Sequence, residues 1–218
     1  MPNFNGVWSL STHLQYAADW PQAPAIALFG GGNGNSNVIQ QIIIGTSGDA
    51  TDFGDLTAGG EISAACGSST RGVWLGGERS SVSNTIDFVT FSSAGNAQDF
   101  GDLSATTRLN AAHSNETRGV VGGGIVSSRT DTIEYITIAS AGNASDFGDL
   151  TIAVSDGASN SSKILATFAG GLDASDSGRG NQIDKVTISS TGNASDFGDL
   201  IAEVSNFSGC SSAHGGLG

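Results

Sequence analysis

The sequence predicts an all-β chain, a β-propeller of about four four-stranded blades preceded by a short N-terminal arm. Three observations lead there. One phrase recurs four times: TDFGDL at 51–56, QDFGDL at 98–103, and SDFGDL at 145–150 and again at 195–200. Its phenylalanines, Phe53, Phe100, Phe147 and Phe197, lie 47, 47 and 50 residues apart. A period in the forties that holds four short segments matches a propeller blade, whereas a β-solenoid, the second choice, has shorter coils. The composition agrees: 33 Gly, only 3 Pro and 13% charged residues describe a chain of tight turns, neither collagen-like nor disordered.

The elements follow in order within each repeat. The first segment is apolar and ends in glycines: AIALFGGG at 25–32, GVWLGG at 72–77, GVVGGG at 119–124 and ILATFAGG at 164–171. Glycines there permit tight turns with positive φ and close backbone approach. The second segment is β-branched and aromatic: NVIQQIII at 37–44, NTIDFVTF at 84–91, DTIEYITI at 131–138 and NQIDKVTI at 181–188. Ile39, Ile86, Ile133 and Ile183 are equivalent in it, and apolar residues do not simply alternate, as expected of a strand covered on both faces. The third segment surrounds the repeated phrase. The fourth is rich in small residues, as in ISAACGSS at 62–69 and LNAAHSN at 109–115. No segment has the length or the 3.6-residue period of a helix. On this phase the repeats run 25–70, 71–117, 118–163 and 164–212 within a propeller spanning 25–218, and sixteen main strands are expected.

The repeated phrase reads as a fold element. Gly-Asn and Asp-Phe-Gly-Asp are turn formers, and the Phe is the one large apolar residue among them. Phe53, Phe100, Phe147 and Phe197 are therefore expected to be buried in one core layer. Asp52, Asp99, Asp146 and Asp196 are expected to accept hydrogen bonds from backbone amides of the adjoining turn. The competing reading is a calcium loop, but each phrase supplies only two carboxylates and lacks the ligand spacing of an EF-hand. No metal site and no cofactor are expected.

Charge excludes further classes. The formal net charge is −13, with 8 basic against 21 acidic residues, which disfavours nucleic-acid phosphates and anionic membrane surfaces as partners. No apolar stretch is long enough to span a bilayer, and the opening residues lack the basic and apolar regions of a cleaved signal. Cys66 and Cys210 show no metal-ligand spacing and read as two small buried side chains. GxSxG, HExxH and P-loop motifs are absent, and His13, His113 and His214 sit in dissimilar contexts, so no catalytic residue is assigned. Repetition itself argues against catalysis, since a catalytic site is usually singular.

Residues 1–24 stand outside the repeat and carry Trp8, Tyr16 and Trp20, aromatics that either pack on the propeller's own face or serve as a candidate docking arm for a partner. The stretch 12–20 could form a short helix. The tail, 211–218, looks like the start of a further strand; one terminus is then surplus to a simple four-blade ring and open to pairing with another chain.

The pattern GGG…DTIEYITIASAGNASDFGDLT, read at 122–151, with SSTRGV at 68–73 as the best copy of its last element, resembles kelch-like propeller repeats in structural proteins of tailed phages, especially marine and cyanobacterial ones. The resemblance covers 25–212, and GVWSLSTHLQYAADWP is similar to the short N-terminal arms of such proteins. The diglycines of kelch repeats are present; the regularly spaced Tyr and Trp that follow them are not. The resemblance implies a non-enzymatic virion component of the tail, a fibre or the capsid surface, acting in assembly or host attachment. Its location would be the virion, after synthesis in the bacterial host cytoplasm. The implied partners are other virion proteins, copies of the chain itself and a host cell-surface glycan. The alternative is a soluble glycan- or ligand-binding propeller, with a glycan hydrolase behind it.

Overall fold

The structure, a computed structural model, describes residues 25–62, 64–173 and 178–212. These form strands, turns and bends, with no helix among them. Four antiparallel sheets follow one another along the chain. The first contains β1 (Ile26–Gly30), β2 (Val38–Ile43) and β3 (Thr51–Asp55). The second contains β4 (Ala64–Gly67), β5 (Arg71–Leu75), β6 (Thr85–Thr90) and β7 (Gln98–Asp102). The third contains β8 (Ala111–Ser114), β9 (Arg118–Gly122), β10 (Thr130–Thr137) and β11 (Ser145–Ser155), extended by β14 (Leu172–Asp173). The fourth contains β12 (Ala158–Ser161), β13 (Leu165–Ala169), β15 (Gly180–Thr187) and β16 (Ser195–Val204).

The sequence repeat and the sheets are one strand out of phase. The small-residue segment does not close the sheet before it; Ala64 pairs with Leu75, and Ala111 with Gly122, so it opens the sheet that follows. Its lack of bulk has a reason. β4, β8 and β12 lie against one another where the sheets converge: Ser114 Oγ donates to Gly67 O at 2.6 Å and Ser161 Oγ to Ser114 O at 3.0 Å. Larger side chains would hold these backbones apart. One consequence is that the first sheet has three strands among the described residues where the second has four.

The repeated phrase forms a β-bulge. In the first sheet Ile39 pairs with Gly54 and Gln40 with Asp52, which leaves Phe53 as the extra residue. The same shift falls between Ile86 and Asp87, Ile133 and Glu134, and Ile183 and Asp184. A bulge re-aims one side chain out of the ladder, and here it turns the Phe toward the next sheet. Glycine follows because φ there is +151°, +144°, +145° and +137° at Gly54, Gly101, Gly148 and Gly198.

The core is a series of layers between sheets. Ile39, Phe53 and Leu56 of the first sheet pack with Trp74 and Val89 of the second. Phe88, Phe100 and Leu103 of the second pack with Val121, Ile136 and Ile138 of the third. Phe147 and Leu150 of the third pack with Phe168, Val186 and Ile188 of the fourth. Strands such as β6, with Ile86 to Val89 all buried, are covered on both faces as expected. Each Phe in such a layer contributes about 1.5–3 kcal/mol by burial.

Two expectations are corrected. Phe53, Phe100 and Phe147 are 2–3% exposed, but Phe197 is 57% exposed. Its sheet is the last of the described residues and has no following sheet to receive it. Cys66 is half-buried, but Cys210 is exposed, because the segment that carries it lies beyond the last sheet; both thiols are free. No helix among the described residues is long and apolar enough to cross a membrane.

Candidate functional site

The repeated phrase is a docking device between sheets. Gly95 N donates to Phe53 O at 2.8 Å and Ala97 N to Asp55 O at 2.7 Å, while Asp55 N donates to Asn96 Oδ1 at 3.1 Å. The second interface repeats this: Gly142 N to Phe100 O, Ala144 N to Asp102 O, and Asp102 N to Asn143 Oδ1 at 3.1 Å. The third does so again through Gly192, Ala194 and Asn193 against Phe147 and Asp149. Three bonds thus clip the DFGD edge of each of the first three sheets to the Gly-Asn turn of the following sheet. One glycine at each interface makes the approach possible: a Cβ on Gly54, Gly101 or Gly148 would lie 2.3–2.6 Å from backbone atoms of the facing turn. On Gly198 it would meet nothing within 4 Å.

The aspartates of the sequence reading divide. Asp99 Oδ1 accepts from Gly101 N at 3.0 Å and Asp196 Oδ1 from Gly198 N at 2.8 Å, the local turn bond expected of them. Asp52 and Asp146 are exposed on the same bulge. No group of three His, Cys, Asp or Glu placed to hold a metal occurs among the described residues. Trp8, Tyr16 and Trp20, the stretch 12–20, His13, His214 and the end of the tail lie outside the described residues.

Other polar contacts between sheets involve residues that the sequence reading did not single out. Thr57 Oγ1 donates to Asp87 at 2.6 Å, Ser104 N to Glu134 at 2.9 Å and Thr151 Oγ1 to Asp184 at 2.7 Å. The signal was legible as the acid after the second-strand isoleucine, in TID, TIE and QID. Asp87 also meets Arg79 at 2.9 Å, both side chains at most 5% exposed. Arg71 and Arg118 reach the next sheet, donating to Ile138 O and Ile188 O at 2.9 Å, and stack over Phe88 and Tyr135.

Two titratable groups depart from ordinary behaviour. His113 on β8 packs edge-on against Phe168, centroids 4.8 Å apart, and neither ring nitrogen has a hydrogen-bond partner. Burial without a partner lowers its pKa to about 3, so it is neutral at physiological pH. Burial pushes the Cys66 thiol up to about 12, its sulphur lying against Gly119. Both groups face apolar neighbours, so neither is placed as a base or a nucleophile. A cleft of about 230 Å³ lies between the loops that hold Glu61, Ile62, Glu78, Arg108 and Leu109. Its Arg108 is paired with Glu78.

Fold comparison gives a likeness to the solved structure of YjhT, with a TM-score of 0.69 at 6% sequence identity. The match covers 84% of this chain and 65% of that one, so the chain spans less than two thirds of the length of YjhT. At this identity the likeness shows the fold alone. No protein-family model matches the chain, and no curated protein matches it.

Proposed function

We propose that the chain is a non-enzymatic structural protein of a tailed-phage virion, built as an arc of four propeller blades, and that it acts in assembly or host attachment. The observation that carries this reading is the repeated Gly-Asn/DFGDL clip. The most distinctive string in the sequence is spent on joining blades and recurs at every internal interface, which is the economy of a scaffold. The resemblance to kelch-like repeats of phage structural proteins supplies the setting. The acidic surface suits a particle that works in a salty medium, where its self-repulsion is screened. The arm that carries Trp8, Tyr16 and Trp20 serves in this reading to seat the propeller on the particle.

The test is co-purification. Particles banded from an infected host should carry the chain at a fixed copy number, resistant to washing. A version that lacks residues 1–24 should fold yet be absent from the band. Recovery of the intact chain only in the soluble fraction would overturn the reading. The second reading, a glycan-binding propeller, is favoured by the cleft between Glu61, Glu78 and Arg108; there binding of a free glycan should weaken on Arg108→Ala.

A further inference from the structure

The two ends of the arc are unfinished in complementary ways. At the front of the fourth sheet, Phe197 is 57% and Ile201 fully exposed, and Ile183 and Leu200 are only half-buried where their counterparts Ile133 and Leu150 are buried. Phe197 O and Asp199 O occupy the acceptor positions that Phe147 O and Asp149 O use against the next Gly-Asn turn. At the back of the first sheet, Phe29 is 56% and Ile44 64% exposed. By register Phe29 is the counterpart of Trp74, Val121 and Phe168, each of which packs back on the preceding sheet with the DFGDL phenylalanine. The turn beside it, SGDA at 47–50, offers Gly48 N, Ala50 N and an Asp49 carboxylate in place of Asn96 Oδ1. Only acceptor capacity is used at that position, and Asp provides it.

A further pair has changed together. The Thr or Ser after the phrase bonds an acid of the next sheet at all three internal interfaces, through the hydroxyl at Thr57 and Thr151 and through the backbone N–H at Ser104. At the ends this pair is Ile201 and Gln40: the hydroxyl is gone, and so is the charge that needed it. The inner strands show the same incompleteness. Leu109, Asp156 and Asn206 share a positive φ of 55–58° at the entry to an inner strand. Ser211 Oγ then donates to Ser161 O at 2.8 Å, as Ser161 Oγ does to Ser114 O. The segment 207–212, which has no strand partner of its own, therefore runs where a further inner strand would lie, the one element that the first sheet lacks among the described residues.

We propose that the Phe197 face of the fourth sheet docks on the Phe29 face of the first sheet of a second copy of this chain, through a fourth Gly-Asn-type clip, with the segment 207–212 beside the partner's β1. The interface continues one that the chain already makes three times. The second copy is the occupant because its first sheet carries each complement: an aromatic for Phe197, a turn for the DFGD edge, and an uncharged Gln40 for Ile201. Phe197 and Phe29 both stand exposed, so the two faces do not close on each other within this arc. A head-to-tail contact of this kind propagates into rings or filaments. The inference is independent of the virion reading, since it concerns the isolated chain.

The test is sedimentation with short-range crosslinking. The wild-type chain should gain mass with concentration. Phe197→Asp should weaken that association by about tenfold or more and keep the wild-type melting temperature, because the residue faces solvent. In a Cys210→Ser background, a chain with Ile201→Cys mixed with one with Gln40→Cys should give a crosslinked dimer with a short bis-maleimide. A doubly substituted chain crosslinked as a monomer at high dilution would show closure within one chain and overturn the proposal. So would a wild type that stays monomeric up to its solubility limit, or Phe197→Asp associating as the wild type does.

Discussion

Burying a neutral imidazole makes stability depend on pH, and the sign is fixed by His113. The unfolded chain takes up a proton near the ordinary value of 6.5, while the folded chain holds the ring neutral down to about 3. Between those values the unfolded state binds more protons, so stability falls as the pH drops below 6.5, by about 1.4 kcal/mol per pH unit. His113→Phe keeps a ring against Phe168 and should remove this slope in urea unfolding between neutral pH and about pH 5, above most carboxylate titration. Parallel losses in wild type and variant would show that His113 is not the source. Thiol chemistry gives a second residue-scale prediction. The exposed Cys210 should react readily with a maleimide in the native state, whereas Cys66, its thiol pushed up to about 12, should react only after denaturation. Equal native rates would place Cys66 in solvent.

The bulged phrase has one sequence in two environments, so its interface can be separated from its local structure. Phe147 lies in a closed layer and Phe197 on an open face. Phe147→Ala should cost about 3–5 kcal/mol of the monomer's stability through the cavity it leaves. Phe197→Ala should change it by about 0.5 kcal/mol or less. Gly148→Ala should disrupt folding more than Gly198→Ala, since both strain the backbone but only the former meets a facing turn. Chemical denaturation of the four variants checks this, and equal costs within each pair would mean that the sheets do not support one another. The same contrast shows what the sequence could convey. The period, the strand order within a repeat and the burial of three of the four phenylalanines were legible, because local pattern determines them. The exposure of Phe197 was not, since it depends on whether a neighbour exists. Nor was the part played by Asn96, Asn143 and Asn193. Gly-Asn reads as a turn within one hairpin, and that its side chain accepts from the sheet before it is a property of the packing. The small-residue segment was assigned to the end of a repeat because repeats were read from the first glycine run. Hydrogen bonding puts it at the start of a sheet, where strands crowd.

At the scale of the whole molecule, short-range complementarity competes with long-range repulsion. The chain carries a formal charge of −13, and both open faces hold acids, Asp196 and Asp199 on one and Asp49 on the other. The contacts that would join two copies are apolar side chains and hydrogen bonds given by backbone N–H groups, the Asp49 carboxylate standing among the acceptors where the internal clips use an Asn oxygen, and none of these is an ion pair. Salt should therefore act on the repulsive part alone. The screening length shrinks from about 30 Å at 0.01 M to about 3 Å at 1 M ionic strength. Head-to-tail association should accordingly strengthen as sodium chloride is raised across that range, the reverse of a salt-bridged interface. Phe197→Asp should gain little, because it lacks the apolar contact that screening exposes. Sedimentation velocity at fixed protein concentration and increasing salt measures both. If association of the wild-type chain weakens with salt, attraction between unlike charges holds the copies together, and the docking of Phe197 on Phe29 is not what joins them.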